Sequence, residues 1–463
     1  MKVVAPARVD RRFARSARVD ADMGRVEAID GYVLQPSVAQ AFASMAESVA
    51  RRSQGAFSWT GPYGGGKSSA ALVLGAALGP AGPARSAAEA ALGVEAADLL
   101  SRGLSRTVRG WSVVALSGRR APIADDLRAA LGLDAGADVV AASAKRVTDA
   151  RWDGLLVVVD ELGKYLEHAA ADGGDLHVMQ DLAELAARAD GRLVVLGILH
   201  QSFERYAAKL PRATRDEWAK IQGRFQDIPL AAAGDETLDL ISRAITADAT
   251  PLAAVALAGR VAAEVRQRRG SAPASLERTL EGCWPLHPVV ALLLGPISRH
   301  RFGQNERSVF SFLGSAEPAG FQEFLASDPR GPFAPPRLFD YLSANLGPSI
   351  LASGDGHRFS TSLDAVDRAA ARGGPTHVAL AKTATLVEMF GAGTGLVASA
   401  AVLAASLDGV TEREVSAALD DLVGWSVLVH RKHLGAYAVF AGSDFDLDAA
   451  VAAAARGGDS IDL

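Results

Sequence analysis

Short apolar runs alternate with helically spaced apolar positions between residues 56 and 230. Each run is too short for an ordinary helix, and several are rich in valine, leucine and isoleucine, as buried strands are. Strands that alternate with helical segments form parallel sheets covered by helices. The pattern predicts an α/β fold with a five-stranded parallel sheet, with strands at residues 56–60, 111–116, 155–160, 193–199 and 226–230.

Beyond residue 235 the apolar spacing becomes helical. No strand is predicted up to about residue 346, so we expect an α-helical lid on the sheet domain. Residues 331–336 contain three prolines and one glycine and predict a linker.

The end of the chain shows a different order of elements. Residues 411–423 predict a helix, and residues 425–430 and 436–440 predict two strands joined by a short basic turn. A helix followed by a hairpin suggests a C-terminal winged helix.

A glycine-rich loop follows the first predicted strand and fits the pattern G-x-x-x-x-G-K-[ST]. Its glycines let the backbone wrap a phosphate, and the helix that follows points its N-terminus at the same place. We expect ATP to be bound here, with Lys67 on the β and γ phosphates and the Ser68 hydroxyl on Mg²⁺. The predicted binding residues are Gly61, Pro62, Tyr63, Gly64, Gly65, Gly66, Lys67, Ser68 and Ser69.

An acidic pair, Asp160 and Glu161, ends the third predicted strand. A buried parallel strand delivers its last residues to the ligand edge of the sheet. Such a pair can also cap a helix, but together with this loop it predicts catalysis. We expect Asp160 to hold Mg²⁺, mostly through water, and Glu161 to orient and deprotonate the attacking water.

These motifs, with His200, Arg224, Arg307 and the predicted winged helix, resemble the origin-recognition branch of the AAA+ ATPases over roughly residues 30–445. The resemblance implies an ATP-hydrolysing enzyme that forms a homo-oligomer. The corresponding predicted domains are a basic N-terminal segment (1–30), an AAA+ P-loop ATPase core (31–232), an α-helical lid (233–346), and a helical and winged-helix domain (347–463).

The same resemblance assigns roles to three further residues. His200, with Gln201 directly behind it, would be the polar sensor 1 residue, and Arg224 would be an arginine finger that reaches the ATP of a neighbouring subunit. Arg307, ahead of the apolar residues 309–313, would be sensor 2. The alternatives are a surface histidine, a surface arginine and a helix-capping ion pair.

Three short phrases also resemble large bacterial ATPases of defence islands, of the BREX type. They are residues 160–164 (DELGK), 222–225 (QGRF) and 305–308 (NERS). This second resemblance implies a role in antiviral defence with a partner effector protein.

Composition limits the cellular location and the partners that we expect for the protein. The single cysteine, Cys283, excludes an internal disulfide framework and fits a cytoplasmic location, with a buried inert thiol as the expectation. No apolar stretch reaches the length needed to cross a bilayer, so we expect no membrane partner. A net charge of −5 gives no overall attraction to nucleic acid, and seven Lys and Arg residues among the first 25 provide only a local basic segment.

The predicted winged helix is acidic, unlike that of a DNA reader. Its helix carries Glu412, Glu414, Asp420 and Asp421, while Arg431 and Lys432 lie in the turn between the strands. Because phosphate contacts supply most nonspecific DNA affinity, this helix should repel a duplex. Two functions therefore stay open: an oligomeric ATP-driven machine or switch that acts on DNA or an effector, and a non-motor ATP-gated scaffold whose winged helix binds protein.

Overall fold

The structure is a computed structural model, and it describes residues 7–14, 17–62, 64–172, 176–208, 210–230, 234–300, 309–327 and 331–441. Within these residues the strands are β1 (Ala7–Val9), β2 (Ala56–Thr60), β3 (Ser112–Ser117), β4 (Leu155–Asp160), β5 (Leu193–Leu199), β6 (Gln226–Pro229), β7 (Ile245–Ala247), β8 (Leu428–Arg431) and β9 (Ala436–Val439).

The first half of the described chain contains the helices α1 (Arg11–Ala14), α2 (Val19–Asp22), α3 (Pro36–Ala50), α4 (Lys67–Leu78), α5 (Pro83–Gly103), α6 (Ile123–Leu131), α7 (Val139–Thr148), α8 (Leu162–Asp172), α9 (His177–Arg188), α10 (Phe203–Ala207) and α11 (Arg212–Gln222). The second half contains α12 (Gly234–Ala244), α13 (Leu252–Arg268), α14 (Leu276–Gly282), α15 (Pro288–Arg299), α16 (Val309–Gly314), α17 (Phe321–Ala326), α18 (Pro335–Leu351), α19 (Gly356–Arg372), α20 (Pro375–Phe390), α21 (Ala400–Ala405) and α22 (Glu412–Gly424).

The chain forms two compact units. The sheet unit comprises Val9–Leu240 and Arg307–Gly314, and the helical unit comprises Met1–Arg8, Ile241–Glu306 and Ser315–Leu463.

The sheet unit is built on a five-stranded sheet in the order β3-β4-β5-β2-β6. All four pairings are parallel, so the carboxyl ends of the strands lie along one edge. The register places Ser117 beside Asp160 and Thr60 beside Leu199 at that edge. The predicted five-stranded parallel sheet is confirmed, and three of its strands have the predicted bounds.

Strand β4 shows why the sheet is buried on both faces. All six of its residues are buried, and they alternate between two apolar clusters. Leu156 and Val158 pack in the cluster that includes residues of α3, α4 and α5, while Val157 and Val159 pack in the one that includes residues of α6 to α9. A continuous apolar run is what a strand covered on both faces requires.

The helical unit departs from the sequence pattern at two places. Strand β7 lies in the segment for which no strand was predicted, because three residues are too few to produce a visible alternation. Phe333, in the predicted linker, is fully buried, and its N–H donates to the carbonyl of Pro285 over 2.8 Å. This part of residues 331–336 is therefore packed within the helical unit and does not act as an open linker.

The end of the described chain has the predicted order of elements: α22, then the antiparallel hairpin of β8 and β9. Its assignment to a winged helix stays a prediction, and residues 442–463 lie outside the described residues. Cys283 is buried, as expected.

Candidate functional site

The glycine-rich loop of residues 61–68, called the P-loop below, begins where β2 ends. The N–H of Gly61 donates to the carbonyl of Leu199 over 3.2 Å, and a Cβ at Gly61 would collide with the carbonyl oxygen of Leu230. Gly64 and Gly66 have φ of 71° and 75°, a left-handed conformation that glycine adopts without strain. Gly61 is therefore required for close packing against Leu230, whereas Gly64 and Gly66 allow the backbone to turn through the loop.

Lys67 is the first residue of α4 and lies under the loop. Its side chain is buried, and Nζ donates to the carbonyls of Gly61 and Pro62 over 2.6 Å each. The loop thus encloses a cation at the N-terminus of a 12-residue helix, where the N–H groups of the first turn lack intrahelical partners. Both features favour an anionic phosphate at this position.

Asp160 and Ser68 meet below the loop. Asp160 is 4% exposed, and the neighbouring Ser68 hydroxyl acts to lower the pKa of its carboxylate. Burial raises the pKa of Asp160 above its ordinary value, and Ser68 and the hydrogen bond from the Glu161 N–H oppose that rise only in part. A divalent cation would remove the cost of this buried charge, and a carboxylate with a hydroxyl is the kind of oxygen pair that holds Mg²⁺ beside phosphates. The residues present fit the predicted metal.

Glu161 follows in a conformation that few non-glycine residues adopt, with φ of 48°. Its N–H donates to Asp160 Oδ1 over 2.8 Å, and its carbonyl oxygen leaves no room for a Cβ at Gly118. The carboxylate forms an ion pair with Lys164, on the first turn of α8. Left-handed residues cluster at functional sites, and this one turns the chain directly behind the acidic strand end.

His200 directly follows β5. Its backbone neighbour Leu199 accepts the hydrogen bond from Gly61, so the end of β5 is joined to the start of the P-loop. The side chains of His200 and Gln201 are half-buried. Their position agrees with a role beside the phosphates, and the sensor 1 assignment stays a prediction.

Arg224 lies at the other end of the sheet. Its carbonyl accepts from Gln54 Nε2 over 3.1 Å, and Phe57 is level with Gln226 in the parallel pairing of β2 and β6. Gln54 and Gly61 are seven positions apart, which is about 23 Å of extended chain. The side chain cannot reach the P-loop of its own subunit, and it is paired instead with Glu184 of α9 over 2.8 Å.

Two predicted site residues, Tyr63 and Arg307, lie outside the described residues. The apolar segment that follows Arg307 forms α16 as a helix of the sheet unit, where Phe310 packs on Phe13 of α1 with ring centroids 5.6 Å apart.

Sequence reasoning missed three residues that contact predicted site residues. Lys164 had a visible signal, because opposite charges three positions apart on a helix turn meet. Gly118 and Glu184 had none, since each reaches its partner through the sheet register or helix packing rather than through sequence spacing. Gly118 also donates its N–H to the carbonyl of Asp160 over 2.8 Å.

Two general properties hold over the described ranges. They contain no helix long and apolar enough to span a bilayer. They also contain no group of three or more His, Cys, Asp and Glu side chains that could hold a metal ion.

Two solved structures are similar to this chain over most of its length. The chain is similar to the crystal structure of Cdc6p from Pyrobaculum aerophilum, with 12% identity, 98% of each chain covered and a TM-score of 0.38. It is also similar to the ORC2 protein of Aeropyrum pernix, solved as ADPNP–ADP complexes, with 13% identity, 91% of this chain and 94% of that chain covered, and a TM-score of 0.36. No protein-family model matches the chain, and no curated protein matches it.

The fold and the loop define the class of protein. The chain has an α/β fold in which a glycine-rich phosphate loop and an acidic strand end lie at the carboxyl edge of a five-stranded parallel sheet, as predicted from the sequence.

Proposed function

We propose that this chain binds ATP with Mg²⁺ and hydrolyses it as a nucleotide-driven AAA+ machine or switch. The observation that carries the proposal is the meeting of three groups at one sheet edge: Lys67 under the glycine loop, Asp160 beside Ser68, and Glu161 directly beyond. A cation, an oxygen pair for Mg²⁺ and a carboxylate base are what phosphoryl transfer to water requires.

The chain's own residues divide the work. The loop N–H groups and Lys67 would bind the phosphates, and Ser68 and Asp160 would hold Mg²⁺, which neutralises charge on the phosphates when bound. Glu161 would take the proton of the attacking water, and His200 would orient that water. Arg307 would contact the nucleotide as sensor 2.

We further propose that hydrolysis is completed between subunits. Gln54, whose side chain contacts the Arg224 carbonyl, is separated from Gly61 by about 23 Å of extended chain, so any finger role must be played in trans. A homo-oligomer in which one subunit's β6 end faces the next subunit's P-loop would bring the two together. Such interfaces are heterologous and close into rings when the rotation permits.

The downstream role is proposed on sequence resemblance. The phrases shared with defence-island ATPases favour antiviral defence, with DNA or an effector protein as the object of the switch. The second candidate, a non-motor scaffold, is favoured by one observation on α22. Its carboxylates are exposed, and the Thr411–Glu414 capping box fixes the acidic start of the helix.

One experiment separates the two functions. The ATPase rate per subunit is measured against protein concentration, with and without duplex DNA. The machine predicts a rate per subunit that rises with concentration as subunits assemble, and that responds to DNA. A concentration-independent rate near zero, with nucleotide retained and DNA without effect, would support the scaffold.

A further inference from the structure

Lys164 and Glu161 form an ion pair at the start of α8, directly beyond the acidic strand end. Lys164 Nζ lies within hydrogen-bonding distance of Glu161 Oε2. The lysine side chain is 44% exposed and the glutamate side chain 30% exposed. Among the described residues, Lys164 is the partner of this carboxylate.

The backbone of Glu161 is held from three sides. Its N–H donates to Asp160 Oδ1 over 2.8 Å, its carbonyl accepts from the Lys164 N–H over 2.9 Å, and Gly118 packs against the same carbonyl. With the left-handed φ of 48° these contacts leave the backbone little freedom. The carboxylate is therefore the part of Glu161 that can change position, and Lys164 restrains it.

The pairing has a chemical consequence. The ammonium group occupies one of the two carboxylate oxygens, so it competes with the attacking water for that oxygen. Lys67 already supplies the cation of the phosphate cradle, so Lys164 is not needed for that task.

We propose that Lys164 is a positioning residue that holds the Glu161 carboxylate in a resting orientation, and that turnover requires the carboxylate to leave it. The inference rests on the proposed ATPase function and adds to it a restraint on the base. The restraint is weak enough to be broken in each cycle. A half-exposed ion pair of this kind stabilises the resting orientation only slightly. Its loss should therefore change the rate about two- to fivefold.

The first test compares steady-state kinetics and nucleotide affinity in full-length variants. Lys164→Met removes the ammonium group and keeps the apolar stem, whereas Lys164→Arg keeps a cation. We expect Lys164→Met to raise kcat about two- to fivefold with unchanged nucleotide affinity, and Lys164→Arg to stay near the wild-type rate. Lys145→Met, at an exposed lysine of α7, is the matched control and should change nothing. A fall in kcat for Lys164→Met, or no change, would overturn the inference.

The second test needs no turnover. Lysines of the nucleotide-free protein are acetylated briefly with an amine-reactive ester, and the extent is read by mass spectrometry with Lys145 as the internal reference. An ammonium held by a carboxylate reacts slowly, so Glu161→Ala should raise the labelling of Lys164 about two- to fivefold. Equal labelling in the two proteins would show that the pair does not form in solution.

Failure of the proposed function has its own signature. If the wild-type protein does not bind a non-hydrolysable ATP analogue in a titration with Mg²⁺, the ATPase proposal and the restraint both fail. If it binds the analogue normally and hydrolyses ATP, while Lys164→Met is no faster than wild type, only the inference about Lys164 fails.

Discussion

A guanidinium nitrogen of Arg224 lies 2.8 Å from a carboxylate oxygen of Glu184, at the end of the sheet opposite the P-loop. Glu184 also accepts from Gln180 Nε2 over 3.1 Å and lies 3.7 Å from Arg188. In an isolated subunit the predicted finger is thus held by its own chain. A neighbour's triphosphate would have to compete with Glu184 for it.

The trans role of Arg224 predicts complementation. Arg224→Ala lacks the finger and Lys67→Ala lacks the phosphate cradle, so each should be inactive alone. In a random 1:1 mixture, an interface that pairs an intact site with an intact finger forms about a quarter of the time, so about a quarter of the wild-type rate should return. Turnover of the mixture is compared with that of each variant alone.

The matched control for this mixture is Arg188→Ala, because Arg188 is an exposed arginine that contacts the same glutamate. That variant should be active without any partner. If subunits exchange, as shown by fluorescence transfer between labelled variants, and the mixture still stays inactive, Arg224 does not act in trans.

Removal of the Lys67 cation should abolish tight nucleotide binding. Its ammonium is buried under the loop, and removing a charge-assisted hydrogen bond to phosphate at such a position costs at least about 3 kcal/mol, or roughly a hundredfold in Kd. Titration of Lys67→Ala with a fluorescent ATP analogue measures the change, and Lys145→Ala is the control. In this variant the two loop carbonyls lose their hydrogen-bond donor, so circular dichroism is used to check that the protein remains folded. Unchanged affinity in a folded variant would overturn the P-loop assignment.

Asp160 should cost stability when no cation is bound. Because burial raises its pKa, the native state binds a proton more tightly than the unfolded state does, so this contribution to stability is lost as the pH rises through the raised pKa. At neutral pH the ionised group is destabilising. In buffer without Mg²⁺ or nucleotide, Asp160→Asn should therefore unfold at a higher temperature than the wild type, and it should lose the further stabilisation by ATP with Mg²⁺.

Differential scanning fluorimetry with and without ATP and Mg²⁺ measures both effects. Asp134→Asn, at an exposed aspartate, should behave as the wild type in both buffers. An Asp160→Asn variant that is less stable than the wild type without ligands would contradict the inferred cost of the buried charge.

We predict that the helical unit loses stability in acid because of His287. It is fully buried, Nδ1 accepts from the Val289 N–H over 3.1 Å, and Nε2 lies 2.9 Å from the carbonyl oxygen of Ala405. Burial lowers the pKa of His287 from 6.5 to about 4. The neutral form is the native one, so its stability contribution is present above pH 6.5 and about 3 kcal/mol of it is lost as the pH falls to 4.

Hydrogen exchange of peptides from α15 and α21, measured between pH 7 and 4.5 and corrected for the intrinsic rate, reports this loss. In His287→Gln the amide has no proton to take up, so the extra acid opening of these helices should disappear. His433→Gln, in the exposed hairpin turn, should keep the wild-type pH dependence. Equal acid opening in His287→Gln and wild type would assign the effect to other groups.

Much of the sheet and the phosphate loop could be predicted, because their signals are local. Residues 155–159 form a continuous apolar run, as a buried parallel strand requires, and two carboxylates, Asp160 and Glu161, follow it. The spacing of the glycines in residues 61–66 predicts a loop that wraps a phosphate. The structure shows a left-handed φ at Gly64 and Gly66, which glycine adopts without strain.

The rest depends on contacts between distant parts of the chain. Glu184 and Arg224 lie 40 positions apart, and helix packing brings them together. Gly118 meets Glu161 only because β3 and β4 pair in a register that sets Ser117 beside Asp160. Sequence spacing also gave no sign that Arg268 of α13 reaches the hairpin turn, 166 positions away.

The last prediction concerns which surface of the protein would contact DNA. The carboxylates of α22 are exposed, and Arg431 of the hairpin is paired with Glu388 over 3.3 Å. In the basic N-terminal segment, Arg12 is paired with Asp10 and Arg18 with Asp20. Each of these three arginines is already partly neutralised, so each is less available to a DNA phosphate.

The end of α13 is different. Arg268 is exposed, and one of its nitrogens donates to the carbonyl of Leu434 in the hairpin turn over 2.9 Å. A carbonyl is neutral, so this bond leaves the charge of Arg268 uncompensated. Arg266, two residues earlier, is 3.9 Å from Glu277, a weak pairing at most. Within the helical unit this helix end lies beside the turn that carries Lys432.

We therefore predict that any duplex DNA binding by the full-length protein depends on helix α13 more than on the hairpin or the N-terminal segment. Affinity is measured over a salt series for Arg266→Ala with Arg268→Ala, for Arg431→Ala with Lys432→Ala, and for Arg12→Ser with Arg18→Ser. The α13 pair should weaken binding and reduce the salt slope by about two, because each arginine that is removed neutralises about one phosphate, while the other two variants stay near wild type. Loss of binding in the hairpin variant alone would make the hairpin the DNA-binding surface and defeat the charge reasoning. No binding by the wild type at physiological salt would instead support a protein partner for α22.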